Sequence, residues 1–384
     1  MSSAPVGTAV DARPPYLAAL EQVVAEVVAP RAADIDSNAS YPREALDALG
    51  RAGLLGLVSA PEVGGMGEGF RAAASVVREL AYDCASTAMV VMMHYAATAV
   101  IEAHGPVEVR QAIAAGDFVV TLAFSEFGSR SHFWAPLSSA VAGSDGVRLD
   151  ARKSWVTSAG EADGYVWSSQ PLSADGMSTL WLVPAGASGL AVGAPFDGLG
   201  LRGNSSSPMT AEALPVDSAA RLGPDGGGFD VMIGTVLPWF QVMSAGFSVG
   251  TAESATAKAA AHAVATRLEH LDQTLADDPT VRAHIARMRI TTDLAGALLL
   301  DALSALEAGR ADATLRVLEV KAAASTAATE VTDLAMRVCG GSAFRKEVGV
   351  ERNFRDARAA TVMAPTTDVL YDFIGKAVCG LPLF

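Results

Sequence analysis

The spacing of apolar residues changes twice along this 384-residue chain. From residue 15 to about 116 they recur at helical intervals, as Leu17 and Leu20 do. Between 118 and 216, short runs of strand length are separated by Gly, Ser and Pro. Helical spacing returns after Phe229. This order of helices, then strands, then helices predicts an α+β chain in three parts.

These three parts define the predicted domains. Residues 1–116 are expected to form an N-terminal α-helical domain, 117–222 a β-barrel or β-sandwich domain, and 223–384 a C-terminal four-helix bundle. Strands are predicted at 118–124, 146–156, 165–169 and 178–184. The glycine-rich segment from Gly223 to Gly228 is predicted to be the loop between the second and third domains.

The composition argues against several classes of function. A formal net charge of -14 disfavours a nucleic-acid-binding surface, which needs clustered Lys and Arg. Cys84, Cys339 and Cys379 lack the spacing of metal ligands, so no metal site is predicted, and so few cysteines indicate a reducing compartment. The N-terminus lacks a signal-peptide pattern, and the apolar runs contain His or Asp. We therefore expect a cytoplasmic protein with neither a nucleic-acid nor a membrane partner.

One motif matches a hydrolase sequence pattern but lies in the wrong predicted secondary structure. Gly246 to Gly250 reads Gly-Phe-Ser-Val-Gly, which matches the G-x-S-x-G nucleophile elbow. That elbow requires a strand before it and a helix after it, whereas this segment lies within a predicted helix. Close packing of small residues between helices is the preferred interpretation.

The C-terminal stretch has features of an anion site. A predicted helix ends in Gly340 and Gly341, which allow backbone angles and close approaches that side chains forbid. After a short loop, a basic and acidic segment leads to Thr366, Thr367 and Asp368, candidate N-caps of a further helix. The free N–H groups at such a helix start can bind a phosphate.

This stretch also resembles the C-terminal segment of the acyl-CoA dehydrogenase superfamily. In that family Gly-Gly and then Arg-Asp-Ala-Lys/Arg lead to a Tyr-Glu-Gly-Thr turn, whose glutamate removes the α-proton of an acyl thioester beside FAD. Aligning on Arg355 places Ala364 at the glutamate and Pro365 at the glycine. Some members carry the glutamate on an earlier helix, before an arginine, where this chain has Phe240 and Gln241. The resemblance implies FAD, yet both family positions for the base lack a carboxylate.

Two segments of the β-region strengthen the resemblance. Residues 122–131 are similar to the family's Thr-Glu-Pro-Gly-Ala-Gly-Ser-Asp loop, with His132 in place of the aspartate, and residues 153–158 are similar to Lys-x-Trp-Ile-Thr. In the family these segments contact the flavin ring and the FAD pyrophosphate or substrate. The cofactor contacts that the resemblance implies here are Phe124, Ser125, Ser131, Trp155, Thr157 and Ser158.

The resemblance also implies contacts to the adenosine diphosphate part of FAD. Gly340, Gly341 and Thr366 would meet it, and Arg337 stands where the family has glutamine. Arg267 matches an arginine that reaches the FAD of a neighbouring subunit, although the Thr-Phe-Gly that usually follows is replaced here. Because the family is usually a homotetramer with FAD at its subunit interfaces, a homotetramer or homodimer is expected.

Three functions fit these observations. The first is a flavin monooxygenase or oxidase, because flavin monooxygenation needs no carboxylate base; it would use FAD, or FMN if a partner reductase supplies reduced flavin. The second is a dehydrogenase of acyl-CoA or carrier-bound acyl groups, which passes electrons to an electron-transfer flavoprotein and has its base moved to Glu126 or Asp368. The third is a non-catalytic protein that binds acyl thioesters.

The monooxygenase hypothesis requires a proton or hydrogen-bond donor near the flavin. The candidate donors are His94, Ser125, Ser131 and His132. His94 lies in an apolar segment among Met92, Met93 and Tyr95, where a lone histidine is either a hydrogen-bonded core residue or a functional one. The resemblance favours His94 because some family members have a histidine on this helix.

Overall fold

The computed structural model describes residues 14–129, 132–143 and 146–384. Helices occupy the N-terminal part up to Ala115 and the C-terminal part from Gly228, and the strands of the two main sheets lie between them. The α+β fold class with a central sheet domain is therefore confirmed. The helices of the N-terminal part are α1 (Pro15–Val23), α2 (Ala29–Asn38), α3 (Arg43–Arg51), α4 (Phe70–Asp83), α5 (Ala85–His104) and α6 (Val107–Ala115).

The central part contains two sheets. In the first, the order is β1-β4-β5, with β1 parallel to β4 and β5 antiparallel to it. In the second, the order is β2-β3-β7-β6 and all pairs are antiparallel. The strands are β1 (Val120–Ala123), β2 (Ser139–Gly143), β3 (Gly146–Val156), β4 (Gly164–Ser169), β5 (Thr179–Pro184), β6 (Leu190–Val192) and β7 (Ser207–Val216).

Strand β3 directs an aromatic side chain out of its sheet. Burial alternates along most of β3, as expected for a strand with one face on the core. The alternation stops after Lys153, where a register shift in the pairing with β7 extends to Val156. Trp155 in this irregular segment has φ +56° and is 62% exposed. A bulge of this kind re-aims a side chain, here the indole.

The C-terminal part is built on three long helices. It contains α7 (Gly228–Val231), α8 (Leu237–Ala265), α9 (Pro279–Glu307), α10 (Ala313–Cys339), α11 (Val350–Val362) and α12 (Thr367–Val378), with a small hairpin of β8 (Arg267–Leu268) and β9 (Gln273–Thr274). Helices α8, α9 and α10 pack on one another, and α11 packs on α8 and α10. This four-helix arrangement also packs against α4.

The glycines of the G-x-S-x-G motif allow that contact with α4. A Cβ on Gly246 would lie 2.6 Å from the carbonyl oxygen of Ala74, and one on Gly250 would lie 2.1 Å from that of Arg78. Both distances are too short for a side chain, so the two helix backbones approach closely only through glycine. The motif lies inside α8, and its interpretation as a helix-packing segment is confirmed.

Two helical segments are long and apolar enough to span a membrane by length and composition. They are Ala85–His104 and Gly228–Ala265, and 83% and 72% of their most apolar windows are buried inside the protein. Such burial is typical of core helices, which pass the same test.

Candidate functional site

A cavity of about 1170 Å³ lies between the helices and the sheets. One wall comes from the β-region and includes Phe124, Ser125 and Trp155. The opposite wall comes from the end of α11 and the start of α12, and includes Met363 and Ala364. We name these the sheet wall and the helix wall. A large cavity that combines apolar surface with a few polar groups is the default place for a ligand.

The sheet wall presents an aromatic surface with hydroxyl groups beside it. The ring of Trp155 stacks on that of Phe196, with centroids 4.0 Å apart and planes 28° apart. Thr157, two residues further along the chain, is buried and also lines the cavity. Ser125 is half-buried, and its carbonyl oxygen accepts a hydrogen bond from the Ser154 amide at 2.9 Å. This wall can therefore stack on a planar ligand and hydrogen bond to its edge.

A buried ion pair stabilises the sheet wall. Lys153 and Glu126 are both buried, with the Lys153 Nζ 2.5 Å from the Glu126 carboxylate. The Lys153 Nζ also donates to the carbonyl oxygen of Ser168 at 2.7 Å. The carboxylate accepts from the amides of Leu137 at 2.6 Å and Ser138 at 3.0 Å. Burial lowers the pKa of Lys153 to about 8, and the charge of Glu126 opposes that shift.

These contacts bear on the hypothesis that Glu126 is a relocated base. Its carboxylate accepts from an ammonium, from two main-chain amides and from the Ser138 hydroxyl, with which it makes a short hydrogen bond. These four hydrogen bonds occupy the lone-pair sites of both carboxylate oxygens and leave none directed at a ligand. The structure therefore does not support Glu126 as a proton acceptor.

Among the described residues, the helix wall forms no ion pair. Lys321 on α10 is fully buried, and its Nζ donates to the carbonyl oxygens of Met363 at 2.9 Å and Pro365 at 2.7 Å. Burial lowers the pKa of Lys321 to about 7, because no nearby carboxylate offsets the loss of hydration. Ala364, which lies between these two residues, also lines the cavity and has no polar side-chain atom.

The two residues that the resemblance aligns with the second family position for a base also have no carboxylate. Phe240 on α8 lines the cavity, and the next residue, Gln241, is fully buried. Neither side-chain amide atom of Gln241 has a hydrogen-bond partner among the described residues. Of the carboxylates of the described chain that line the cavity, Glu126 is held by Lys153 and the other is Asp368. Asp368 is exposed, in the first turn of α12.

Comparison with protein-family models identifies the family of this chain. Three models match consecutive parts of the chain: the acyl-CoA dehydrogenase N-terminal domain over residues 16–116, the middle domain over 121–214 and the C-terminal domain over 226–379. The chain belongs to the acyl-CoA dehydrogenase family. It is therefore a flavin-dependent oxidoreductase, and its cofactor is FAD.

Individual acyl-CoA dehydrogenases match over most of the chain. The cyclohex-1-ene-1-carbonyl-CoA dehydrogenase of Syntrophus aciditrophicus (strain SB) is 28% identical over 359 residues, which are 91% of this chain and 86% of that protein. The structure of butyryl-CoA dehydrogenase from Megasphaera elsdenii has a TM-score of 0.88 at 22% identity and covers 95% of this chain and 97% of its own. The prolyl acyl carrier protein oxidase AnaB has a TM-score of 0.86 at 18% identity, over 95% and 99% of the two chains. The two structures show a common fold.

The cavity of this acyl-CoA dehydrogenase family member fits FAD. The exposed Trp155 ring can stack on a planar ring system, and the Ser125 and Thr157 hydroxyls lie on the same wall. Thr366 lines the cavity and caps α12 by accepting from the Val369 amide, so the helix start faces the cavity region. Helix starts favour anionic groups such as a pyrophosphate. The individual contacts of FAD with these side chains remain predictions.

The structure brings several of the predicted site residues to one cavity. Phe124, Ser125, His132, Trp155, Thr157 and Thr366 all line it. His132 is exposed, and its ring lies edge-on to Trp134 with centroids 5.3 Å apart. Ser131, the other predicted hydroxyl of this loop, lies outside the described residues.

The structure contradicts the prediction that His94 is a proton donor near the flavin. It is fully buried in α5 and does not line the cavity. Its Nδ1 accepts from the Val120 amide at 3.2 Å, which leaves the proton on Nε2 to donate to the Leu55 carbonyl oxygen at 3.0 Å. Burial lowers the pKa of His94 to about 4, so the ring is neutral near pH 7. Both ring nitrogens are used within the core, so His94 is not the predicted proton donor.

Other predicted cofactor residues lie outside the cavity of the single chain. The Ser158 hydroxyl accepts from the Tyr41 hydroxyl at 3.0 Å and is buried. Arg267 pairs with Asp272 on the β8–β9 hairpin and is exposed. Arg337, Gly340 and Gly341 are exposed at the end of α10. A contact of these four exposed residues with FAD would require a neighbouring subunit, and it remains a prediction.

Sequence reasoning missed Lys321 and Phe196. Lys321 lies among Leu318, Val320 and Ala322, so a single charge on an apolar helix face was the available signal. Phe196 gave no such signal, because its stacking on Trp155 depends on how a loop outside the strands folds over β3.

Proposed function

We propose that this chain catalyses a flavin-dependent oxidation without a carboxylate base beside the substrate, as a monooxygenase or oxidase. One observation carries the proposal: Ala364, which the resemblance aligns with the family's catalytic glutamate, lines the cavity and has no proton acceptor in its side chain. Phe240 and Gln241, at the other position where the family carries its base, have no carboxylate. The Glu126 carboxylate is already paired with Lys153.

A carboxylate base contributes so much to the rate of acyl-thioester dehydrogenation that the reaction would be very slow without one. Removing hydrogen across the α,β bond of an acyl thioester pairs loss of an α-proton with hydride transfer. A positioned base accelerates such a step by about 10²–10⁴-fold. A reaction that starts from reduced flavin and oxygen does not need that base.

FAD, when bound, accepts a hydride or, once reduced, reacts with oxygen. This chain's residues then bind the substrate, exclude water and supply a hydrogen bond. The apolar part of the cavity, which includes Met89, Met93 and Phe240, excludes water from the reacting groups. Because His94 does not line the cavity, Ser125 and His132 are the predicted donors that line it in the described chain.

A second candidate function is the dehydrogenation of an acyl-CoA or a carrier-bound acyl group with Asp368 as base. It is favoured by the Asp368 carboxylate at the cavity and by the dehydrogenases among the relatives. The partner for electrons would then be an electron-transfer flavoprotein, whereas a monooxygenase would use a flavin reductase. The fold carries oxidases as well as dehydrogenases, since it is shared with a prolyl acyl carrier protein oxidase.

Parallel assays on the flavin-loaded protein distinguish the two. Oxygen uptake is measured with reduced flavin and candidate substrates, and enoyl product is measured with butyryl-CoA and an artificial electron acceptor. We expect substrate-dependent oxygen uptake above the free-flavin background, and no stoichiometric enoyl product. Enoyl product from the wild type that disappears in D368N would overturn the proposal in favour of the dehydrogenase.

We further propose a cytoplasmic homotetramer or homodimer. Large apolar side chains on α9, among them Ile290, Leu294 and Leu300, are more than half exposed. Exposed apolar surface of this kind is typical of interaction sites. Light scattering after size-exclusion chromatography would measure the assembly directly, and a monomer at micromolar concentration would contradict it.

A further inference from the structure

Lys321 is a buried cation in direct contact with the helix wall. Its side chain is fully buried, and its Nζ donates to the carbonyl oxygens on both sides of Ala364. Met363, Ala364 and Pro365 all line the cavity. The ammonium therefore lies one peptide group behind the cavity surface.

The two hydrogen bonds also orient the peptide groups of the wall. In a trans peptide the N–H points opposite to the C=O. Because the carbonyls of Met363 and Pro365 point at Lys321, the N–H groups of Ala364 and Thr366 point away from α10. Donation to a carbonyl also polarises the N–H of the same peptide group.

The charge of Lys321 is not compensated within the described chain. No described carboxylate forms an ion pair with it, and carbonyl dipoles alone hold the ammonium. A buried cation without a counter-ion is stabilised by an anion in its neighbourhood, and the low local dielectric strengthens that attraction.

We propose that Lys321 is a positioning residue that makes the helix wall electropositive, so that the cavity binds an anionic oxygen group next to Ala364. The group would be a carboxylate on a ligand whose remainder is apolar. The inference rests on the proposed function only in taking this cavity as the substrate site, and it holds for either reaction type.

Other charged groups also face the cavity. His132 and Arg202 line it, and Arg202 is paired with Asp197. Asp368 opposes anion binding, and Glu126 is neutralised by Lys153. His132 is thus a second basic side chain at the cavity, and its contribution to anion binding is tested with H132Q.

The test compares two ligands of nearly equal shape and different charge, hexanoate and hexanamide. Their affinities for the flavin-loaded protein are measured by titration calorimetry at pH 6. We expect the wild type to prefer hexanoate by about tenfold or more. In K321M the preference should disappear while hexanamide still binds.

A half-buried lysine away from the cavity provides the control. Lys258 lies on α8, and its Nζ donates to Asn353 at 2.8 Å, but it does not line or support the cavity. K258M should retain the preference for hexanoate. An equal preference in K321M and the wild type would overturn the proposal.

The wild type supplies a test that does not depend on the folding of any variant. Between pH 6 and 9 the Lys321 amine loses its proton, because its pKa is about 7. The preference for hexanoate should fall over that range, and it should fall equally in H132Q. A constant preference, or a fall that H132Q abolishes, would contradict the role of Lys321. Oxygen uptake is measured independently, so this result and the test of the reaction type fail separately.

Discussion

The two walls of the cavity each contain a buried lysine, but the lysines have different partners. On the sheet wall, Lys153 pairs with the Glu126 carboxylate, whose remaining acceptor positions are filled by main-chain amides and a hydroxyl. On the helix wall, Lys321 contacts two carbonyl oxygens and no carboxylate. The first arrangement is electrically neutral, whereas the second places a positive charge beside the cavity when Lys321 is protonated.

This difference separates a structural role from a ligand-directed one. A paired, fully hydrogen-bonded charge holds Glu126 against the amides of Leu137 and Ser138 and leaves little field for a ligand. An unpaired charge has only weak internal compensation, so any anion in the cavity stabilises it. Two buried lysines of one protein can thus serve stability in one wall and recognition in the other.

The largest effect is expected from giving the helix wall the carboxylate that it lacks. A364E introduces a proton acceptor at the cavity surface, next to the carbonyls held by Lys321. We expect reduction of an artificial electron acceptor by butyryl-CoA to rise by about 10²–10⁴-fold. A364Q, which has the same shape without basicity, is the control. A wild type already as fast as A364E would show that a base exists elsewhere.

The second prediction concerns the ion pair of the sheet wall. K153M removes the partner of a buried carboxylate, and an uncompensated buried charge of this kind costs about 3–5 kcal/mol. The free energy of unfolding is measured by urea denaturation. The double variant E126Q/K153M removes both charges and should recover a large part of the loss. An equal loss in the single and double variants would mean that the ion pair is not the source of the effect.

The contrast between the walls also shows what sequence could predict. Strands β3 and β5 were predicted almost residue for residue, because β3 alternates apolar and polar residues and β5 is a short apolar run. Strands β2, β6 and β7 were missed. Ser139–Gly143 is made of small residues, Leu190–Val192 has three residues, and Ser207–Val216 contains two prolines. Such segments become strands through pairing with neighbours, which local pattern does not show.

The candidate site was predictable only where it depends on local sequence. Ser125, Trp155, Thr157 and Thr366 were located from short motifs, and all four line the cavity. His94 was mistaken for a donor because its two hydrogen-bond partners come from distant parts of the chain.

The third prediction uses pH to test the burial of the unpaired Lys321. Lys321 has a pKa of about 7 in the folded protein and 10.5 as its reference value. Between these values the unfolded chain holds a proton that the folded protein lacks, so this residue makes the free energy of unfolding rise with pH. K321M lacks that contribution and loses two hydrogen bonds. We expect it to be about 1–3 kcal/mol less stable than the wild type at pH 9, with a smaller difference at pH 6. Urea denaturation at both values measures this, and a difference that is independent of pH would contradict it.

The smallest effect is expected where the helix wall begins α12. The Thr366 hydroxyl accepts from the Val369 amide, and the same residue lines the cavity. T366A removes this cap and should lower the free energy of unfolding by about 1 kcal/mol. T366S retains a hydroxyl and should lose far less. Because the α12 start is also a predicted contact of the FAD pyrophosphate, T366A should bind FAD more weakly in a fluorescence titration of the apoprotein.

The sheet wall should behave differently, because removing the Thr157 hydroxyl leaves every helix cap intact. A T157V variant should therefore weaken FAD binding with little change in stability, and equal stability losses in T157V and T366A would show that the two walls do not divide their roles in this way.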